Sequence, residues 1–162
     1  MPRNRVRSEV AKGVEALRYD RCTLMDNLAG DVTYYATLGP WEVDIDVEEI
    51  AVTTAIKPAA NAGNALDIYN GTLAASVELM TQMTDGLATY GFTAQTVNVP
   101  VKPPVITTAR RVPAGTPVTV AFRAAASNAA APACVTVRIG YDIPVYDGSA
   151  KATTYGAYDD GI

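Results

Sequence analysis

Histidine is absent from all 162 residues. That removes the commonest general base, the commonest neutral metal ligand and the side chain that titrates near neutrality. Catalysis is left to Lys, Asp or Glu, and no nucleophile motif stands beside any of them. The expectation is a protein that is not an enzyme and holds no cofactor. Cysteine is nearly absent too. Cys22 and Cys134 stand alone, too far apart and too few for a disulfide framework. No CxxC or Cys/His cluster is present, so no metal site is expected, and both cysteines are expected as buried free thiols.

Long apolar runs are missing as well. Thr, Asp or Pro interrupts each one, so no transmembrane helix is expected. Basic residues near the start are not followed by an apolar stretch, which argues against a signal peptide. Synthesis in a cytoplasm without membrane entry follows as an expectation. Charged residues make up only 19%, below the usual quarter or so. That suits a surface largely covered by partners, and equally a β-rich domain with threonine-covered faces.

What charge there is lies unevenly. Arg3, Arg5, Arg7, Lys12, Arg18 and Arg21 face only Glu9, Glu15 and Asp20 in the first 21 residues, a net of +3. The other 141 residues hold seven basic and fourteen acidic side chains, a net of −7. A basic arm on an acidic body points to an arm that docks on something else. The arm is bounded here at residues 1–30, the body at 31–146 and a tyrosine-bearing tail at 147–162.

Ser8 can cap a short helix over residues 9–18, although Gly13 interrupts it. From Val32 the pattern turns to β. Residues 32–38 are rich in Thr and Tyr, good strand formers. Trp41, Val43, Ile45 and Val47 alternate with Glu42, Asp44, Asp46 and Glu48, which predicts a strand with four carboxylates on one face. Residues 50–56 predict another, and residues 66–69 a short one ending at the turn pair Asn70-Gly71. Residues 77–83 fit helix and strand spacing alike. Residues 92–99 predict a strand, followed by a Pro-interrupted crossing segment. Val118, Val120 and Phe122 alternate in one run, Val135, Val137 and Ile139 in the next, and the two are expected to pair. Seven or eight short strands with turns between them predict an all-β, antiparallel, jelly-roll-like β-sandwich with an extended basic arm.

The candidate sites are few. Asp44, Asp46, Glu48 and Glu49 suggest a calcium site or a dock for a cationic partner, but a solvated strand face is the preferred reading. No opposed carboxylate pair suited to glycoside hydrolysis is evident. The six basic residues of the arm are the candidate partner-binding set. An acidic protein surface is their preferred target. Direct nucleic-acid contact is not expected, since no aromatic precedes Tyr19, and a solubilising tail is the plain alternative. Arg110 and Arg111 suit a charged strand edge. Tyr34, Tyr35, Tyr69, Tyr90, Tyr141, Tyr146, Tyr155 and Tyr158 suit core and rim, with some placed to stack on sugars.

Three stretches carry a resemblance: Ile56-Lys-Pro-Ala-Ala-Asn-Ala-Gly-Asn-Ala-Leu-Asp-Ile-Tyr-Asn-Gly-Thr72, Arg111-Val-Pro-Ala-Gly-Thr-Pro-Val-Thr-Val-Ala-Phe122 and Cys134-Val-Thr-Val-Arg-Ile-Gly-Tyr141. Together they resemble the β-sandwich decoration (cement) and head-fibre-type proteins of tailed bacteriophages. The resemblance spans roughly residues 50–141. It implies a virion structural protein on the capsid surface, made in the host cytoplasm. Its partner would be the major capsid protein, gripped by the arm, and it would form a homo-oligomer, a trimer by expectation. The alternative is a carbohydrate- or receptor-binding β-sandwich module of a phage tail or fibre. Exposed tyrosines, or Trp41, on one flat face would favour that alternative.

Overall fold

A computed structural model describes residues 17–28, 30–58, 63–72, 77–85, 91, 95–125 and 131–144. Among them no helix occurs, and nine strands form two antiparallel sheets. The strands are β1 (Arg18–Leu28), β2 (Thr33–Leu38), β3 (Ile45–Ile56), β4 (Ala65–Asn70), β5 (Val77–Glu78), β6 (Met83–Thr84), β7 (Arg111–Val112), β8 (Val118–Arg123) and β9 (Ala131–Asp142). The first sheet runs β1-β9-β3-β7, the second β2-β8-β4-β5, with β6 also on β4. The predicted all-β sandwich is the observed fold.

Alternation builds the core. Val135, Val137 and Ile139 of β9, with Ile50 and Val52 of β3, form the inner face of the first sheet. Leu66 and Ile68 of β4, with Val118, Val120 and Phe122 of β8, form that of the second, and all ten are buried. Period-2 spacing puts each set on one side of its strand, and together they form one hydrophobic cluster.

The 118–124 and 134–141 runs do not pair, contrary to expectation. β8 lies between β2 and β4, whereas β9 lies between β1 and β3 in the opposite sheet. Both runs face the same core from opposite sides, and alternation alone cannot say which sheet a strand joins. Past its end β8 stays with the chain before β2: Ala124 N–H donates to the Val32 carbonyl and Asp31 N–H to the Ala124 carbonyl, both at 3.1 Å. β8 and β9, consecutive in the chain, therefore lie in different sheets.

The predicted strand over 41–47 starts later, and it is continuous with the 50–56 segment. Residues 41–44 belong to the approach to β3. The register slips between Val47 and Glu49 and again between Thr54 and Ile56. The first slip is a β-bulge that changes which parity faces inward. Ile45 and Val47 point to the core before it, Ile50 and Val52 after it, so a twelve-residue strand keeps its apolar side buried.

Residues 77–83 are strand-like, resolving their ambiguous spacing. Met80 bridges Val105 between the short strands β5 and β6. The predicted strand over 92–99 is not found. Residues 92–94 lie outside the described residues, and the rest form a turn. Val99 N–H donates to the Thr96 carbonyl at 3.1 Å, and Asn98 has φ +63°. Asparagine tolerates that left-handed conformation better than most residues, and it ends strand geometry. The Pro-interrupted segment does cross the sheets: Val101 bridges Val52, and Val105 bridges Met80. The predicted helix over 9–18 falls outside the described residues except at its end, and there Arg18 opens β1.

Candidate functional site

Four of the six basic candidates, Arg3, Arg5, Arg7 and Lys12, lie outside the described residues. Arg18 and Arg21 stand on β1, which pairs along its whole length with β9. Much of the stretch bounded as the arm is thus a sheet strand, and residues 1–16 precede it. Arg21 lies on the outer side opposite Arg138, and Arg18 at the strand end opposite Tyr141. That end is tied down. The Trp41 indole N–H donates to Asp20 Oδ2 at 2.9 Å, and its ring meets Tyr141 at 5.4 Å between centroids.

The carboxylates of residues 44–49 do not line one face. Asp44 accepts the Ala114 N–H at 2.9 Å in the loop. Asp46 is buried and accepts two N–H groups of Arg111, on β7. Glu48 pairs with Arg110 at 2.6 Å. Glu49 faces outward and bridges Lys102 and Arg138, each at 3.0 Å. The bulge fans these groups apart, and each meets its own partner. Hydrogen bonding to Lys102 holds the Glu49 carboxyl below its usual range against the opposing effect of burial, with Arg138 adding to the pull. The Arg138 guanidinium also lies 4.6 Å from the Tyr19 ring centroid, a cation–π distance. Compensation by neighbouring cations, rather than open water, answers the repulsion on this outer face.

The two cysteines are free and half-buried on opposite sides of the first sheet. Cys22 sits opposite Val137 and turns to the core; Cys134 sits opposite Met25 and turns outward. Burial pushes the Cys22 thiol up to about 11. Side chains on opposite faces of a sheet cannot bridge without moving the backbone.

The outer face of the second sheet is different. Thr33 and Tyr35 of β2, Ala121 and Arg123 of β8 and Asp67 and Tyr69 of β4 occupy the outward parity in neighbouring rows. With Gln82 they line an open cleft of about 280 Å³. Tyr35 is 53% exposed, while Asp67 is 9% exposed. Gln82 Nε2 donates to Asp67 Oδ2 at 2.8 Å. Asp67 Oδ1 is buried and has no hydrogen-bond partner. The Tyr69 hydroxyl is pushed above its usual value, first by burial, then by the negative charge of Asp67 and a hydrogen bond to it, with Glu78 adding to the push. Such pairings of a buried, unsatisfied carboxylate oxygen with a concave surface are uncommon in folded proteins. Asp67, Gln82, Arg123 and Thr33 were not among the sequence candidates. Their one legible signal is the alternation Leu66-Asp67-Ile68-Tyr69, which puts Asp67 and Tyr69 on one face. Tyr34 turns inward against the core, and Tyr90, Tyr146, Tyr155 and Tyr158 lie outside the described residues.

Among the described residues no group of three or more potential ligands converges on a metal position. No helix there is long and apolar enough to cross a membrane. No protein-family model and no curated protein matches the chain. Among solved structures it is similar to a chain of the cyanophage Pam1 capsid asymmetric unit. Identity is 16%, over 79% of this chain and 85% of that one, at a TM-score of 0.49. It is also similar to a chain of Desmodium yellow mottle tymovirus, at 13% identity over 78% and 87% and a TM-score of 0.32. A third likeness is to infectious bursal disease virus Gx strain, at 9% identity over 80% and 33% and a TM-score of 0.28. Likenesses this loose do not assign a function.

Proposed function

We propose that this chain is a non-enzymatic virion structural protein. In this reading it sits on an assembled capsid shell and grips the major capsid protein with its basic N-terminal segment. The observation that carries the reading is the charge segregation: a net-positive start joined to a net-negative body. The body supplies the second support. On the outer face of its first sheet Glu49 is already paired with Lys102 and Arg138. The residues before Arg18 carry four basic side chains against two acidic ones. Exposed ion pairs contribute about 0–1 kcal/mol each, so useful affinity needs several at once, repeated over many lattice points.

The structure moves the boundary for the test. A deletion through residue 21 would remove the first four residues of β1, so the deletion should stop at residue 16. The variant lacking residues 2–16 is expected to stay folded and to lose co-sedimentation with assembled particles. Undiminished co-sedimentation would overturn the reading. A trimer is part of the proposal. Its contact would be the exposed row Met25 and Ile56, which flank Cys134 on the outer side of the first sheet. Apolar side chains exposed together commonly mark interfaces. Light scattering at micromolar concentration, or imaging of decorated particles, tests it; isolated single copies in both would remove it.

A further inference from the structure

We propose that the cleft on the outer face of the second sheet is a binding subsite for a neutral saccharide, with vicinal hydroxyl groups as the recognised feature. The inference does not depend on the capsid reading. It rests on which groups line the cleft and on the hydrogen bond that one of them lacks.

Asp67 is held from one side only. Gln82 satisfies Oδ2, and Oδ1 has no donor. A buried acceptor left unpaired is costly, so a state that brings it a donor is favoured. The Tyr69 hydroxyl lies within hydrogen-bonding reach of the same carboxylate, yet Oδ1 itself stays unpaired. Among the cleft residues, Arg123 and Gln82 carry further N–H donors, and Thr33 carries a hydroxyl that donates and accepts. Tyr35 and Tyr69 contribute ring surface and phenolic hydroxyls on the same face.

Charge selects among ligand classes. An anion would meet the Asp67 carboxylate, with Glu78 close enough to raise the Tyr69 hydroxyl. A cation would meet the exposed guanidinium of Arg123. A neutral ligand that both donates and accepts avoids both penalties, and sugar hydroxyls do both. One hydroxyl would donate to Asp67 Oδ1 while its neighbour accepts from Gln82 or Arg123. The apolar C–H face of the ring would lie on tyrosine. Asp67 Oδ1 is closed to water, so entry requires a side chain at the cleft rim to tilt. Tyr35, half exposed on an edge strand, has room to do so, as do the exposed Gln82 and Arg123. The volume, about 280 Å³, lies at the lower end of the roughly 300–1,000 Å³ of small-molecule sites. It suits one or two sugar rings rather than a long chain.

The test is an amide NMR titration of the full chain with glucose, galactose, mannose, rhamnose, N-acetylglucosamine and their short oligomers. Arginine amide and inorganic phosphate serve as charged comparators. At least one saccharide should give saturable shifts centred on Thr33, Tyr35, Asp67, Tyr69, Gln82 and Arg123, at millimolar affinity. Tyr35→Ala should weaken it roughly tenfold, the worth of about one aromatic contact. Arg123→Ala, at an exposed position, gives a second reading if the tyrosine variant unfolds, and should weaken it similarly. Saturation by arginine amide or phosphate in place of saccharide would overturn the proposal. So would saccharide shifts centred elsewhere, or none in the whole panel.

Discussion

Gly39 and Gly115 offer a matched pair of substitutions whose difference measures the Trp41 anchor. Both glycines have positive φ, +74° and +77°. Alanine at either meets a backbone penalty of roughly 1–2 kcal/mol for a left-handed L-residue, and at Gly39 the following Pro40 restricts it further. The surroundings differ more. A Cβ at Gly115 meets nothing within 4 Å, whereas one at Gly39 would fall 2.6 and 2.7 Å from Trp41 Cε3 and Cζ3. The indole must therefore move, and it is held from two sides: its N–H reaches Asp20, and its ring rests on Tyr141. A hydrogen bond to a charged acceptor contributes about 1.5–3 kcal/mol and an aromatic pair about 0.5–1.5 kcal/mol. Partial loss of both should make Gly39→Ala cost about 2–3 kcal/mol more than Gly115→Ala. For a chain this long 1 kcal/mol moves Tm by about 2–4 °C, so the two variants should melt roughly 5–10 °C apart.

Trp41 is the single tryptophan, so its fluorescence follows the perturbed group directly during urea or thermal unfolding. Gly39→Ala should also change the native emission, while Gly115→Ala should not. In an Asp20→Ala background the extra cost at Gly39 should shrink, because part of what it destroys is already gone. Equal destabilisation by the two alanines, with unchanged native emission, would refute the anchor. It would also remove the case that β1 is fastened to the body at its first turns.

Three further expectations follow from single sites. Glu49→Gln should cost about 1 kcal/mol at neutral pH, since its two ion pairs are partly exposed. The folded carboxyl is held below 4.5, so its contribution is full above that pH and fades as pH falls below it. Urea unfolding of both proteins should converge in acid, and a gap that persists there would contradict the pairing. The Cys22 thiol, raised to about 11 by burial, should stay protonated in the folded chain while the unfolded one ionises near pH 8.5. Stability should then fall between those pH values, by up to about 1.4 kcal/mol per pH unit, and Cys22→Ala should flatten that limb. Phe122→Ala, at a fully buried ring, should cost about 3–5 kcal/mol; a loss under 1 kcal/mol in chemical denaturation would place the core elsewhere.

The sequence is readable wherever a strand has one wet face. β2, β4, β8 and β9 stand close to where alternation puts them, because burial of one face imposes a period of two. Three features escape that rule. A neighbouring strand leaves no mark in composition, so Asp46 looked solvent-facing although Arg111, its partner on β7, covers it. Sheet membership is equally silent: β8 and β9 carry the same pattern and lie on opposite layers. Basic residues at 18 and 21 suggested an arm, but Cys22 and Leu24 turn toward the core between outward positions such as Arg21, and pairing with β9 prevails over charge. The cleft was half legible. Asp67 and Tyr69 share a parity, but Tyr35, Gln82 and Arg123 come from other strands or loops, and only the topology brings them together.

The two proposals constrain one another through the ends of the sandwich. Arg18 opens β1 beside Tyr141 and Trp41, and Gly115 N–H donates to the Trp41 carbonyl at 2.8 Å, so the 111–116 turn lies at that end too. Leu38 and Val118 pair there on the second sheet, with Asn70 donating to the carbonyls of Ala109 and Arg111. Thr33 and Arg123 pair at the other end of the same two strands. β1 therefore begins at one end, and the cleft is built around Thr33, Tyr35 and Arg123 toward the other. If the grip through residues 1–16 brings the shell against the Trp41 end, the cleft stays open to solvent. Saccharide affinity measured on particle-bound protein should then match that of the free protein. Competition between particles and saccharide would put the cleft against the shell and break this arrangement, even if each proposal held when tested alone.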